Sequence, residues 1–191
     1  MSVKLIYWFD FDENTHAELL YMEPAYIKES KILIVDSNTF IAKMLFSILE
    51  AFGVGKIIVC ETLDDAEKKL SNTKLDCVFI DFMMENRSGL NFIKKVREGK
   101  SAKNEQTLPI ILNTGMTDID TIVMARDVGV TEVISKPFSP DQVFQKFENA
   151  INNPRVFIDV EEYVGPNRRR RRDTSEEWDG ESNRRQTATN E

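Results

Sequence analysis

Five short runs rich in Ile, Val and Leu dominate the sequence: KILIV at 31–35, KIIVC at 56–60, CVFI at 77–80, IIL at 110–112 and EVI at 132–134. Each is a continuous apolar run, as expected of strands buried on both faces of a parallel sheet. Longer segments of helical period lie between them. Phe40, Ile41, Met44, Leu45, Ile48 and Leu49 fall on one stripe and stop before Gly53, which predicts a helix over about 39–52. Thr62 is placed to cap a second helix, with Asp65 three residues on. A third helix follows Ser88-Gly89 with Leu90, Phe92, Ile93 and Val96 as its apolar stripe, and a fourth covers about 119–126 before Gly129. A fifth opens at Ser139-Pro140-Asp141-Gln142, with Ser at the cap, Pro at the first helical position and Gln three residues after the cap. Alternating βα units of this kind predict an α/β domain with a doubly wound parallel sheet.

A chain of 191 residues has room for one such domain and extra segments at its ends. The expected division is an N-terminal extension over 1–30, the α/β domain over 31–153 and a C-terminal extension over 154–191. KLIYWFDF near the start carries enough apolar mass to dock, at a place the sequence does not specify. VFIDVEEYVG at 156–165 has the composition of a short strand. From Gly165 onward Arg, Ser, Thr, Glu and Asn prevail, which predicts a disordered tail whose removal over 165–191 leaves stability nearly unchanged. The net charge of −7 argues against a chain that coats nucleic acid, while the run RRRRR at 168–172 marks the tail as the place for an acidic or phosphate-bearing partner. Cys60 and Cys77 sit in apolar runs without a CxxC or His/Cys cluster, so they read as buried, reduced thiols. No apolar run reaches the roughly 18 residues of a membrane span, and the N-terminus turns acidic where a signal peptide stays apolar. A soluble, cytoplasmic protein without membrane insertion is expected.

Ligands of an open parallel sheet gather beyond the carboxyl ends of the strands, so the residues that follow each run are the informative ones. The first run delivers Asp36, the third Asp81, the fourth Asn113 and Thr114, and the fifth Lys136 followed by Pro137. Two carboxylates, a hydroxyl and an amine would then meet at one sheet edge. A carboxylate oxygen is a competent nucleophile toward a phosphoryl group with a good leaving group, provided the charge on the moving oxygens is neutralised. A hard, oxygen-ligated cation and a lysine do this together.

The texts KILIVDS, VFIDFMMENRSGL with Gly89 eight residues after Asp81, LPIILNTG and ISKPF resemble, as a set, the receiver domain of two-component response regulators over about 31–152. The resemblance implies the flavodoxin-like (βα)5 fold with strand order 2-1-3-4-5. It assigns Asp81 as phosphoacceptor, Asp36 as a Mg²⁺-binding acid, Met83 as the donor of a main-chain carbonyl to the metal, Thr114 as the switch hydroxyl and Lys136 as the phosphate contact. A cis Lys136-Pro137 bond is typical of the family. The implied activity is acceptance of a phosphoryl group from a histidine kinase or histidine phosphotransfer protein and signalling to a downstream protein target. Such a domain promotes its own phosphorylation without being a dedicated enzyme. His16, the only histidine, lies outside any kinase-like phosphorylation pattern, so the phosphodonor is expected to be external.

Three positions depart from the family text. Ser37 stands where a second acid is usual, and loss of a unit charge about 4 Å from a cation removes on the order of 1 to 4 kcal/mol, so weakened Mg²⁺ binding is expected. Glu85 replaces the usual proline after Met84, and Val133 replaces the common switch aromatic three residues before Lys136. These departures favour the alternative of a receiver-like scaffold that works by phosphorylation-independent binding. The roughly 27 mostly polar residues after Val164 are too few for a helix-turn-helix module, so direct DNA binding is not expected. The arginine run followed by Asp-x-Ser resembles the nucleotide-binding text of PilZ domains, but Trp178 stands where its glycine belongs.

Overall fold

The structure, a computed structural model, describes residues 25–84, 89–99, 103–116 and 118–168. The five apolar runs form the strands β1 (Lys31–Val35), β2 (Lys56–Cys60), β3 (Cys77–Asp81), β4 (Ile110–Thr114) and β5 (Glu132–Ser135). They assemble into one sheet in the order β2-β1-β3-β4-β5, with every pairing parallel. Alternation along the strands divides the core in two. Leu33, Val35, Val78, Ile80, Ile110 and Leu112 face one helical layer, and Ile32, Ile34, Cys77, Phe79, Ile111 and Ile134 face the other.

The first layer contains α3 (Leu63–Asn72), α4 (Gly89–Arg97) and α5 (Ile119–Asp127). The second contains α1 (Ala25–Glu29), α2 (Thr39–Ala51) and α6 (Pro140–Asn152). Local sequence explains where these helices begin. Thr62 caps α3 through the Asp65 N–H, Asp118 caps α5 through the Thr121 N–H, and Ser139 and Gln142 form a reciprocal capping box at α6 with Pro140 at its first turn. Among the described residues no helix is long and apolar enough to cross a membrane.

Described elements continue on both sides of the five-stranded unit. Helix α1 inserts Ile27, 1% exposed, into the second core layer, and the Gly55 N–H donates to the Ile27 carbonyl at 3.2 Å. A buried isoleucine contributes about 1.5 to 3 kcal/mol. Residues 25–30 therefore belong to the folded unit, while KLIYWFDF and His16 lie outside the described residues.

At the other end, β6 (Phe157–Val160) and β7 (Tyr163–Pro166) pair antiparallel across a two-residue turn at Glu161-Glu162. The short strand expected from VFIDVEEYVG is present within a hairpin, and Gly165 and Pro166, the first residues of the segment expected to be disordered, complete β7. The hairpin packs where α4 and α5 end and β5 begins. A Cβ on Gly129 would lie 2.7 Å from the Val164 carbonyl oxygen, and one on Gly165 would lie 2.7 Å from the Gly129 Cα, so backbone meets backbone there. Arg155 donates to the carbonyls of Asn167, Val130 and Thr131, tying the connecting segment to the start of β5. Arg168 stacks 4.1 Å above the Tyr163 ring and reaches Asp127 at 3.6 Å. Composition missed this because the hairpin is held by contacts with α5 and β5, not by a core of its own. The remainder of the tail, from 169, lies outside the described residues.

Candidate functional site

Strands β1 and β3 are neighbours at the centre of the sheet and end together, which brings Asp36 and Asp81 to the same edge. Lys136 arrives from β5 and bridges them. Its Nζ donates to Asp81 Oδ1 at 2.7 Å and to Asp36 Oδ2 at 3.0 Å. The opposite oxygens are also held: Asp36 Oδ1 accepts from the Asn38 N–H at 2.9 Å, and Asp81 Oδ2 from the Met83 N–H at 3.1 Å. Asp36 is 0% exposed and Asp81 6%, so the lysine supplies the counter-charge that keeps both anions from being buried unpaired. The Lys136–Pro137 peptide is cis, and the Lys136 N–H donates to the Thr114 carbonyl at 2.7 Å.

Thr114 closes β4, and its side chain is engaged within its own loop. Oγ1 donates to the Met116 carbonyl at 3.0 Å and accepts from the Met116 N–H at 2.9 Å. The hydroxyl is therefore bonded to the 114–116 loop and not to Asp81. Met83 is half exposed, Ser37 is exposed, and Val133 is half-buried on β5. Glu85 lies outside the described residues. At Gly89 an added Cβ would lie 2.6 Å from the Asp81 carbonyl oxygen, so α4 begins in direct contact with the Asp81 backbone.

The carboxylates of Asp36 and Asp81 offer oxygen ligands at this edge, and Ser37 and Met83 follow them closely in the chain. This chemistry fits Mg²⁺, which takes one or two carboxylates and keeps several waters. Among the described residues no group of three or more His, Cys, Asp or Glu side chains gathers.

Asn113, named at the end of the fourth run, was given no role by the sequence. Asn113 precedes Thr114 and is 0% exposed, with both side-chain polar atoms lacking a hydrogen-bond partner among the described residues. The sequence signal was an amide at the end of an otherwise apolar strand, IILNT.

With this geometry in place, comparison with known proteins is informative. The family model of the response regulator receiver domain matches residues 32–148. The chain belongs to the response regulator receiver domain family. It is 25% identical over 118 residues to the phosphate regulon transcriptional regulatory protein PhoB of Escherichia coli, covering 62% of this chain and 50% of that protein. It is 29% identical over 119 residues to the chemotaxis protein CheY1 of Helicobacter pylori, covering 62% and 94%. The chain thus spans about half the length of PhoB and nearly all of CheY1. Among solved structures, chemotaxis protein CheY4 of Vibrio cholerae superposes with a TM-score of 0.57 at 25% identity, over 63% of this chain and 98% of that one. The beryllofluoride-activated NtrC4 receiver domain gives 0.58 at 29%, over 64% and 97%. The matched family segment ends before the hairpin of β6 and β7.

Proposed function

We propose that the protein is a phosphorelay receiver that accepts a phosphoryl group on Asp81 from a partner histidine kinase or histidine phosphotransfer protein and signals by protein contact. The observation that carries this reading is the Asp36–Lys136–Asp81 bridge at the carboxyl edge of the sheet. An Asp81 carboxylate oxygen attacks phosphorus, the bond from phosphorus to the donor's imidazole nitrogen breaks, and the imidazole leaves with the electron pair. Lys136, 2.7 Å from Oδ1, is placed to follow the charge onto the phosphoryl oxygens. Asp36, Asp81, Ser37 and the Met83 carbonyl would hold Mg²⁺, which when bound supplies further neutralisation of those oxygens. Thr114 can exchange its Met116 partners for a phosphoryl oxygen, drawing the loop before α5 toward the site.

A second reading is favoured by the same cluster: with two carboxylates and a lysine already in place, the protein would act as a receiver-like scaffold that binds partners without phosphorylation. A Mg²⁺ titration followed by calorimetry separates the two. The phosphorelay reading expects weak binding that Asp36→Asn abolishes and Ser37→Asp tightens about five-fold or more, the effect of a unit charge at close range. Binding seen only after Ser37→Asp, with none in the wild type, supports the scaffold.

A further inference from the structure

Asn113 lies on the same sheet face as the charged cluster. Ile34, Phe79, Ile111 and Ile134 all pack into the layer of α1, α2 and α6. Two residues further along β3 and β4 stand Asp81 and Asn113, so alternation turns both to that face, while Asp36 and Lys136 follow the ends of β1 and β5 and reach Asp81 through the Lys136 bridge. In the ladder between β3 and β4, Asn113 is the direct partner of Asp81, which sets their backbones about 4.8 Å apart. The carboxamide is fully buried, and neither its N–H₂ nor its oxygen has a partner among the described residues. A buried amide without partners is costly in any fold. An apolar side chain there would avoid the cost, as Leu112 and Ile111 do in the same strand.

We propose that Asn113 is a positioning residue whose carboxamide is satisfied in the phosphorylated state and not in the resting one. This rests on the phosphoacceptor reading of Asp81. In the resting site Lys136 and the Met83 N–H hold the two oxygens of an anionic carboxylate. Phosphorylation converts that carboxylate to a neutral acyl group and moves the negative charge outward to the phosphoryl oxygens, and Lys136 follows it. The acyl group then loses a donor on its buried side, where Asn113 is the ladder neighbour. An amide suits this place because it donates and accepts without carrying charge. Only an interaction that differs between the two states biases their equilibrium, and a hydrogen bond absent at rest and made after transfer is such a difference.

The test uses the whole chain with Mg²⁺ and phosphoramidate as donor, comparing the wild type with Asn113→Leu and Asn113→Ser. Melting temperature, phosphorylated fraction and phosphoryl lifetime after donor removal are read. Asn113→Leu is expected to melt at or above the wild-type temperature while its phosphorylated fraction and lifetime fall on the order of five- to ten-fold. Asn113→Ser, which keeps a hydroxyl donor, is expected to fall less. Wild-type phosphorylation levels and lifetime in Asn113→Leu overturn the proposal while leaving the phosphoacceptor reading intact. Should Asn113→Leu fail to fold, an unchanged lifetime in Asn113→Ser overturns it and a shortened one supports it. A wild type that takes up no phosphoryl group overturns the phosphoacceptor reading, and this proposal with it.

Discussion

Lys136 touches two carboxylates at once, and through it a pair of anions can share the buried edge of a parallel sheet. These residues were legible because each follows an apolar run, and strand ends are where a parallel sheet exposes its chemistry. The state of Thr114 was not legible: its hydroxyl is committed to Met116, which only the loop conformation reveals. Asn113 stood in the text, but its lack of partners is a property of its neighbours and no spacing encodes it. Cys77 was read as a buried hydrophobe, and the structure gives that a pH consequence. Burial pushes its thiol well above the ordinary cysteine range. The folded state therefore keeps a proton that the unfolded chain gives up above about pH 8.5, so stability present below that pH declines as pH rises past it. Chemical denaturation between pH 7 and 10 is expected to show this decline, and Cys77→Ala to flatten it. An identical decline in that variant would place its cause elsewhere.

The five strands and the helices between them follow from run length, period and caps, all of which are local. The hairpin of β6 and β7 shows where local reading ends. Its inner contacts are supplied by distant residues: Arg97 from α4, whose guanidinium lies 5.9 Å from the Phe157 ring centroid, and Gly129 after α5. Arg97 is 2% exposed and donates to the Gly129, Gln106 and Leu108 carbonyls and to the Thr131 hydroxyl. Burial lowers its guanidinium to about 10, which leaves it charged at neutral pH. A cation held by carbonyls on several loops is a joint, and the hairpin closes over it. Truncation at Val164 removes half of β7 and the Arg168 contacts, and is expected to lower the melting temperature by several degrees, since about 1 kcal/mol shifts a domain of this size by roughly 2 to 4 °C. This reverses the outcome expected from composition. An unchanged melting temperature would show that the hairpin rests on the domain without supporting it.

At the scale of the molecule, the receiver fold occupies the matched segment, and two additions flank it: α1, which completes one core layer, and the hairpin, which seals the end of the other. Among the described residues, both additions pack away from the edge where Asp36, Asp81 and Lys136 meet. Under the proposed function, the serine at position 37 lowers the charge available to a cation while Asp81 and Lys136 keep the roles proposed for them, so phosphoryl uptake that is slow yet present is the central claim. The most direct test of that claim is intact-mass spectrometry of the whole chain after incubation with phosphoramidate and Mg²⁺, alongside Asp81→Asn. The account predicts the addition of one phosphoryl group to the wild type and none to the variant. A wild type that stays unmodified, or a variant modified to the same extent, would contradict it.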